Sequence, residues 1–251
     1  MSNLKGVGVA LVTPFNEDLS VDFDSLTRLV EYNIENGTNY LVVLGTTAEA
    51  DTLSATEKQE VIKHVIKINN KRLPLVLGIG GNNTLEVKKQ IEEADLTDFD
   101  AVLSVSPYYN KPNQEGLYQH YKMLASTGKQ IIIYNVPGRT GQNIEASTTL
   151  RLANEFPNLF MIKEAAPNIL QYFDILRKKP ANFSLVSGDD EYTLPVTLAG
   201  GDGVISVIGQ GYPKEFSTMV QFAFEGKVKE AYEIHNKLVE ITRLIFAEGN
   251  P

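Results

Sequence analysis

Eight short apolar runs, each followed by a segment of helical period, predict an α/β fold, a (β/α)8 TIM barrel, for this 251-residue chain. Three observations carry that reading. The runs are apolar on both faces, as the strands of a parallel sheet covered by helices must be. No linker or low-complexity segment separates the units, and their number in this length suits a barrel. The competing open, doubly wound sheet needs a phosphate-binding glycine turn after its first strand, whereas here that strand ends in Thr13-Pro14-Phe15.

The first strand is read over residues 7–15 (VGVALVTPF). Residues 22–36 then set Leu26, Leu29, Val30 and Ile34 on one helical face, with Asp22 as N-cap and Gly37 as the stop. Residues 40–44 (YLVVL) form the second strand. Ser54, with Glu57 three positions on, makes a capping box for a helix whose apolar face is Val61, Ile62, Val65 and Ile66. A strand at 75–77 precedes a helix capped by Thr84 and reaching Leu96, and a strand at 101–105 precedes a helix at 114–126. Strand 131–134 leads to helix 145–156, strand 159–165 to helix 168–177, and strand 183–186 to a short helix at 191–199. Strand 203–207 is followed by helix from Pro213 onwards. The barrel is assigned to residues 1–225 and a C-terminal helical region to 226–251.

Composition narrows the function. Hydrophobic content of 43% and charged content of 22% are those of an ordinary globular enzyme. A net charge of −8 argues against a nucleic-acid surface or a basic membrane-binding face. The absence of cysteine excludes disulfides, thiolate nucleophiles and zinc–thiolate sites. No apolar run reaches the ~18 residues of a membrane helix and no signal-peptide core opens the chain, so a soluble cytoplasmic protein is expected. His64, His120 and His235 lie far apart with no ligand partner one helical turn away, so no metal site is expected.

The chemistry centres on residues 159–165, LFMIKEA. Lys163 stands at the carboxyl end of a core strand, where lysine is seldom placed. It suits either a snorkelling side chain paired with Glu164 or a desolvated amine that attacks carbonyls. Barrel active sites lie at the carboxyl ends of the strands. There the sequence gathers Thr46 and Thr47, Tyr108 and Tyr109, Tyr134, Lys163, Gly188 and Ile205, with Arg139 in a following loop. An amine among phenols and hydroxyls fits Schiff-base chemistry with proton relay, and Arg139 fits a carboxylate. Residues 78–83 read as a plain turn rather than a phosphate loop. Asp189-Asp190-Glu191 reads as helix capping, and residues 225–233 as a solvated helix face.

Four motifs stand in the order of a known family: Gly45-Thr46-Thr47-Ala48-Glu49, Pro107-Tyr108-Tyr109-Asn110-Lys111-Pro112, Tyr134-Asn135-Val136-Pro137-Gly138-Arg139-Thr140-Gly141 and Ile162-Lys163-Glu164-Ala165. Over essentially its whole length the chain resembles the dihydrodipicolinate synthase family of the class I pyruvate aldolase superfamily, which includes N-acetylneuraminate lyase. The resemblance implies condensation of pyruvate with aspartate-semialdehyde, without a cofactor, in a homodimer or homotetramer. It makes Lys163 the Schiff-base residue and Tyr134 the proton shuttle, linked through Thr46 to Tyr109 of a neighbouring subunit. It also gives pyruvate to Thr47, Gly188 and Ile205, and the semialdehyde carboxylate to Arg139. A sibling lyase taking a sugar-derived aldehyde and a non-catalytic keto-acid binder are the alternatives.

The chain departs from the family at Ala48, where glycine is usual and a mild packing change is expected, and at Lys58, where lysine-inhibited members carry histidine or glutamate. It also stops at Gly249-Asn250-Pro251 where members continue through further helices, so the resemblance implies a truncated C-terminal helical extension. Ala50, Asp51, Ala55, Lys58, Asn82, Glu86 and Tyr108 match the positions at which free lysine binds in such members. Lys58 sets a fixed positive charge against a cationic ligand, and like charges about 4 Å apart repel by about 1 kcal/mol in water and more when partly buried. Millimolar lysine is therefore expected to inhibit weakly or not at all, with sensitivity gained in Lys58→His; initial rates against lysine decide, and strong inhibition of the unaltered protein contradicts the argument.

Overall fold

Branched side chains dominate the apolar runs and pack well on a pleated surface. In the computed structural model, which describes residues 4–249, they form β1 Gly6–Ala10, β2 Tyr40–Val43, β3 Leu75–Gly78, β4 Ala101–Val105, β5 Ile131–Asn135, β6 Leu159–Glu164, β7 Ser184–Ser187 and β8 Gly203–Ser206. Each strand pairs in parallel with the next and β8 returns to β1, closing the expected eight-stranded barrel. Residues 1–3, Asn250 and Pro251 lie outside the described residues, so the ends of both assigned regions are not placed.

The helices are α1 Phe23–Glu35, α2 Ala55–Asn69, α3 Thr84–Glu93, α4 Gln114–Ala125, α5 Pro137–Thr140, α6 Ala146–Glu155, α7 Ile169–Lys178, α8 Thr193–Leu198, α9 Pro213–Phe224 and α10 Val228–Leu244. Local signals set several ends. The Ser25 amide donates to Asp22 Oδ1 at 2.9 Å, capping α1. Ser54 and Glu57 exchange both capping-box bonds, at 2.8 and 3.2 Å, at the start of α2.

Elsewhere the structure corrects the expected limits. The first strand leaves the sheet after Ala10 rather than at Phe15: the Val12 amide donates to Gln210 Oε1 at 3.0 Å instead of to β2, and Phe15 bridges back to Val21. The cap of α3 is Asn83, whose Oδ1 accepts from Leu85 and Glu86 N–H; the Thr84 hydroxyl bonds His120 Nδ1 at 2.8 Å instead. That helix ends at Glu93, short of Leu96, and α8 begins at Thr193, two residues after Glu191. The helix from Pro213 divides into α9 and α10 at Gly226, which takes φ +72°.

Alternation along each strand splits the core into two layers. Val42, Val76, Leu103, Ile132, Met161 and Val186 fill the barrel interior, with Tyr40 among them. The opposite faces pack under the helices, for instance Leu41 and Val43 towards α1 and α2, and Ile131 and Ile133 towards α4 and α6.

Closure puts its tightest demand on glycine. Gly203 faces Gly6 across the β1–β8 seam, takes φ +121°, and a Cβ there would lie 2.0 Å from the Gly6 carbonyl oxygen. Gly128 also has positive φ, +71°, but opens onto empty space. Gly203→Ala is expected to lower unfolding stability by about 3 kcal/mol or more, through strain plus backbone collision, and Gly128→Ala by about 1 to 2 kcal/mol. Urea unfolding of both measures the gap; equal losses would show that the seam does not need its glycine.

Candidate functional site

The pairing of β5 with β6 sets Tyr134 directly opposite Lys163, so both side chains point into the barrel at its carboxyl rim. Lys163 is 2% exposed, with its Nζ 4.4 Å from the centre of the Tyr134 ring, over which the cation is attracted by the π face. The Tyr134 hydroxyl lies 3.3 Å from Thr46 Oγ1. Thr46 opens a 3-10 turn, Thr46–Ala48, that follows β2 and holds Thr47 buried. The Thr13 hydroxyl donates to the Ala48 carbonyl at 2.8 Å, tying that turn to the end of β1.

Gly188 and Ile205 complete the floor. A Cβ at Gly188 would fall 2.9 Å from Lys163 Cε and 3.0 Å from its Cγ, so the missing side chain is the space the lysine stem occupies. Ile205 is fully buried on the inner face of β8. Arg139 projects from α5, a single turn closed by Gly141 in the left-handed conformation, φ +70°. It lines a cavity of about 740 Å³ together with Thr46, Tyr134, Tyr108, Asp51 and Lys58. Lys163, whose Nζ lies against the Tyr134 ring, does not itself form part of that wall.

Not every expected residue converges. Tyr109 takes φ +71° and is 87% exposed, so its own chain does not bring it to Thr46; the expected cluster of phenols reduces to Tyr134 and, at the cavity wall, Tyr108. The Tyr108 hydroxyl donates to Asp51 at 3.3 Å, and burial is the first cause that raises its pKa, with Asp51 adding to it. Of the positions matched to a lysine site, Ala50, Asp51, Ala55, Lys58 and Tyr108 line the cavity. Asn82 and Glu86 do not: the Asn82 carbonyl accepts from Asn110, and Glu86, in the first turn of α3, accepts from Gln90.

The acidic triplet divides between roles. Asp189 does not cap α8, whose N-cap position is Tyr192 without a side-chain bond; its Oδ1 accepts from the Glu191 and Tyr192 amides in the turn before the helix. Glu191 instead grips Arg243 of α10, with contacts of 2.8 and 3.2 Å. Asp190 reaches across the rim to accept from the Val207 and Ile208 amides at 3.1 and 3.0 Å, anchoring the turn after β8. Its Oδ1 is buried without a hydrogen bond. Burial raises the Asp190 carboxyl, and the nearby Lys163 charge is a smaller opposing influence. Sequence reasoning assigned this residue to helix capping, because its actual partners lie 17 and 18 positions away.

Lys163 does not pair with Glu164. Strand alternation sends Glu164 to the opposite face of β6, where Asn135, Gln171 and the Ala166 amide donate to it. Burial still pushes its carboxyl up to about 7. Among the described residues no group of three or more His, Asp or Glu is placed to hold a metal ion, and no helix is long and apolar enough to cross a membrane.

The pattern of the Dihydrodipicolinate synthetase family matches residues 3–251. The chain is 58% identical over 247 residues to 4-hydroxy-tetrahydrodipicolinate synthase of Flavobacterium psychrophilum, covering 98% of this chain and 84% of that protein. It is 53% identical over 250 residues to the enzyme of the same name from Parabacteroides distasonis, covering 99% and 84%. The crystal structure of chloride-inhibited dihydrodipicolinate synthase from Acinetobacter baumannii complexed with pyruvate superposes with a TM-score of 0.95 at 42% identity, covering 99% of this chain and 85% of that one. On these matches, and in agreement with its motifs, the chain belongs to the dihydrodipicolinate synthetase family.

Proposed function

We propose that this chain condenses pyruvate with L-aspartate-4-semialdehyde through a Schiff base on Lys163, giving 4-hydroxy-tetrahydrodipicolinate on the route to diaminopimelate and lysine. The observation that carries the reading is the buried amine set against Tyr134, whose hydroxyl reaches Thr46. The names of the relatives and the pyruvate complex of the Acinetobacter baumannii enzyme support it.

The amine adds to the keto carbon of pyruvate and water leaves, forming an iminium. That iminium takes up the electron pair released when a methyl proton departs, and the resulting enamine attacks the aldehyde carbon. Tyr134, with Thr46, moves the protons these steps require. The amino group of the second substrate then closes the ring and displaces Lys163, so the amine is regenerated and no cofactor is consumed. Thr47 and Ile205 hold pyruvate, and Gly188 leaves room for the lysine stem. Arg139, at the cavity wall, takes the semialdehyde carboxylate. Tyr109 faces solvent in its own chain and completes the relay of a second copy, which makes the working unit a homodimer or homotetramer in the cytoplasm.

Borohydride added with pyruvate is expected to leave a reduced adduct that peptide mass mapping assigns to Lys163. A folded, unlabelled protein would sink the catalytic reading in favour of a keto-acid binder. Arg139→Ala is expected to raise the KM for the semialdehyde, since a lost charge-assisted contact costs about 2 to 4 kcal/mol, while pyruvate trapping stays nearly intact. Equal loss of trapping would make the arginine structural, and turnover of a sugar-derived aldehyde in preference to the semialdehyde would point to the sibling lyase.

A further inference from the structure

We propose that Glu164 is a positioning residue of this site: its ionised carboxylate fastens the ends of β5 and β6, the first turn of α7 and the loop that carries Arg139 into one unit. The inference rests on the Schiff-base reading of Lys163.

The geometry is specific. Glu164 is fully buried, and Asn135, opposite it on β5, donates its Nδ2 to Oε1 and Oε2 at 2.8 and 3.0 Å. The Ala166 amide donates to Oε1 at 2.7 Å and Gln171 Nε2, from α7, to Oε2 at 2.8 Å. These four hydrogen bonds all come from N–H donors, which is the environment of a carboxylate rather than of a carboxylic acid.

The amides pass the constraint on. Asn135 Nδ2 also donates to Asn143 Oδ1 at 2.8 Å, and Asn135 Oδ1 accepts from the Ile144 amide at 2.9 Å. Asn143 Nδ2 donates to Gln171 Oε1 at 2.9 Å. Asn143 and Ile144 terminate the segment that begins after β5 and contains α5 with Arg139. One carboxylate therefore governs both neighbours of the reaction: Lys163, one residue before it on β6, and Arg139, through the far end of its loop.

Among the described residues the groups that donate to the Glu164 carboxylate are the Asn135 and Gln171 amides and the Ala166 N–H. Tyr172 of α7 donates to the Glu164 main-chain oxygen at 2.6 Å, with Tyr192 stacked edge-on 5.8 Å beyond and Asp189 acting on the same phenol; Lys163 lies on the other face of β6. The rest of the shell is amide. A proton on either oxygen must displace an N–H, and since burial brings the carboxyl to about 7, that displacement falls within the working range of pH.

Two measurements test this. The first needs no activity. The folded protein holds a proton up to about 7 that an unfolded carboxyl, with its ordinary value of 4.5, has already released. That contribution is full below the unfolded value and lost as pH rises through the folded one. Glu164→Gln does not titrate, so its Tm relative to the unaltered protein should climb from about pH 5 to about pH 8. The second is the pH profile of kcat/KM for the semialdehyde. It should fall below about pH 7, the limb should move upward in Gln171→Leu, which removes one donor from the carboxylate, and it should vanish in Glu164→Gln. Pyruvate trapping on Lys163 should persist in both variants.

A flat Tm difference together with an unmoved limb in Gln171→Leu overturns the inference. A uniform loss of rate at every pH does so too, because it marks a merely structural group. If Glu164→Gln does not fold, the limb in Gln171→Leu decides. Failure of trapping in the unaltered protein instead removes the catalytic reading beneath, leaving the Tm comparison to report on the carboxylate by itself.

Discussion

The site depends on one constraint, the register of residues 161–164 of β6 against β5, set beyond a bulge where the pairing steps from Ile131–Leu159 to Ile132–Met161. It turns Lys163 inward and Glu164 outward, and places Tyr134 and Asn135 opposite them in the same sense. A slip of one residue would bury the carboxylate in the barrel and expel the amine. Past the bulge the pairing is continuous on both sides, Ile132–Asn135 of β5 and Ser184–Ser187 of β7 holding Met161–Glu164, which resists a further slip. Two ionisable side chains can then be buried back to back. Each desolvation costs several kcal/mol, partly offset on one face by an aromatic ring and on the other by a ring of amides.

From that strand the rim is assembled by contacts of long sequence separation. Thr13 and Ala48 join the ends of β1 and β2, and Asp190 fixes the turn after β8 from the loop after β7. A rigid ring of strands thereby carries short loops whose polar groups are held by one another. The cavity above them is continuous from Tyr134 and Arg139 to Asp51 and Lys58. A group bound at Lys58 would therefore share this cavity with Tyr134 and Arg139, and charge at that position bears on both ends of it.

Much of this was legible because much of it is local. Residues 101–105 are the strand the apolar run predicts, and Ser54 with Glu57 forms a capping box because both partners lie within one helical turn. Legibility fails where two local choices compete and a distant residue decides. Asn83 and Thr84 are both good caps; His120 takes the threonine hydroxyl, leaving the cap to Asn83. Lys163 was visible as an anomaly of position. Asp190 was not, since next to Asp189 it reads as a second cap, and only the fold carries it to Val207 and Ile208. Tyr109 follows a strand yet turns away, because its left-handed backbone points the ring to solvent, and no pattern of polarity encodes that turn.

The most direct test of the account is a crystal structure of the protein soaked with pyruvate. The account predicts continuous density from Lys163 Nζ to the keto carbon, with the Tyr134 hydroxyl within hydrogen-bonding reach of the adduct and its carboxylate against Thr47. Pyruvate bound without a covalent link while Lys163 stays free, or seated elsewhere in the cavity, would contradict it.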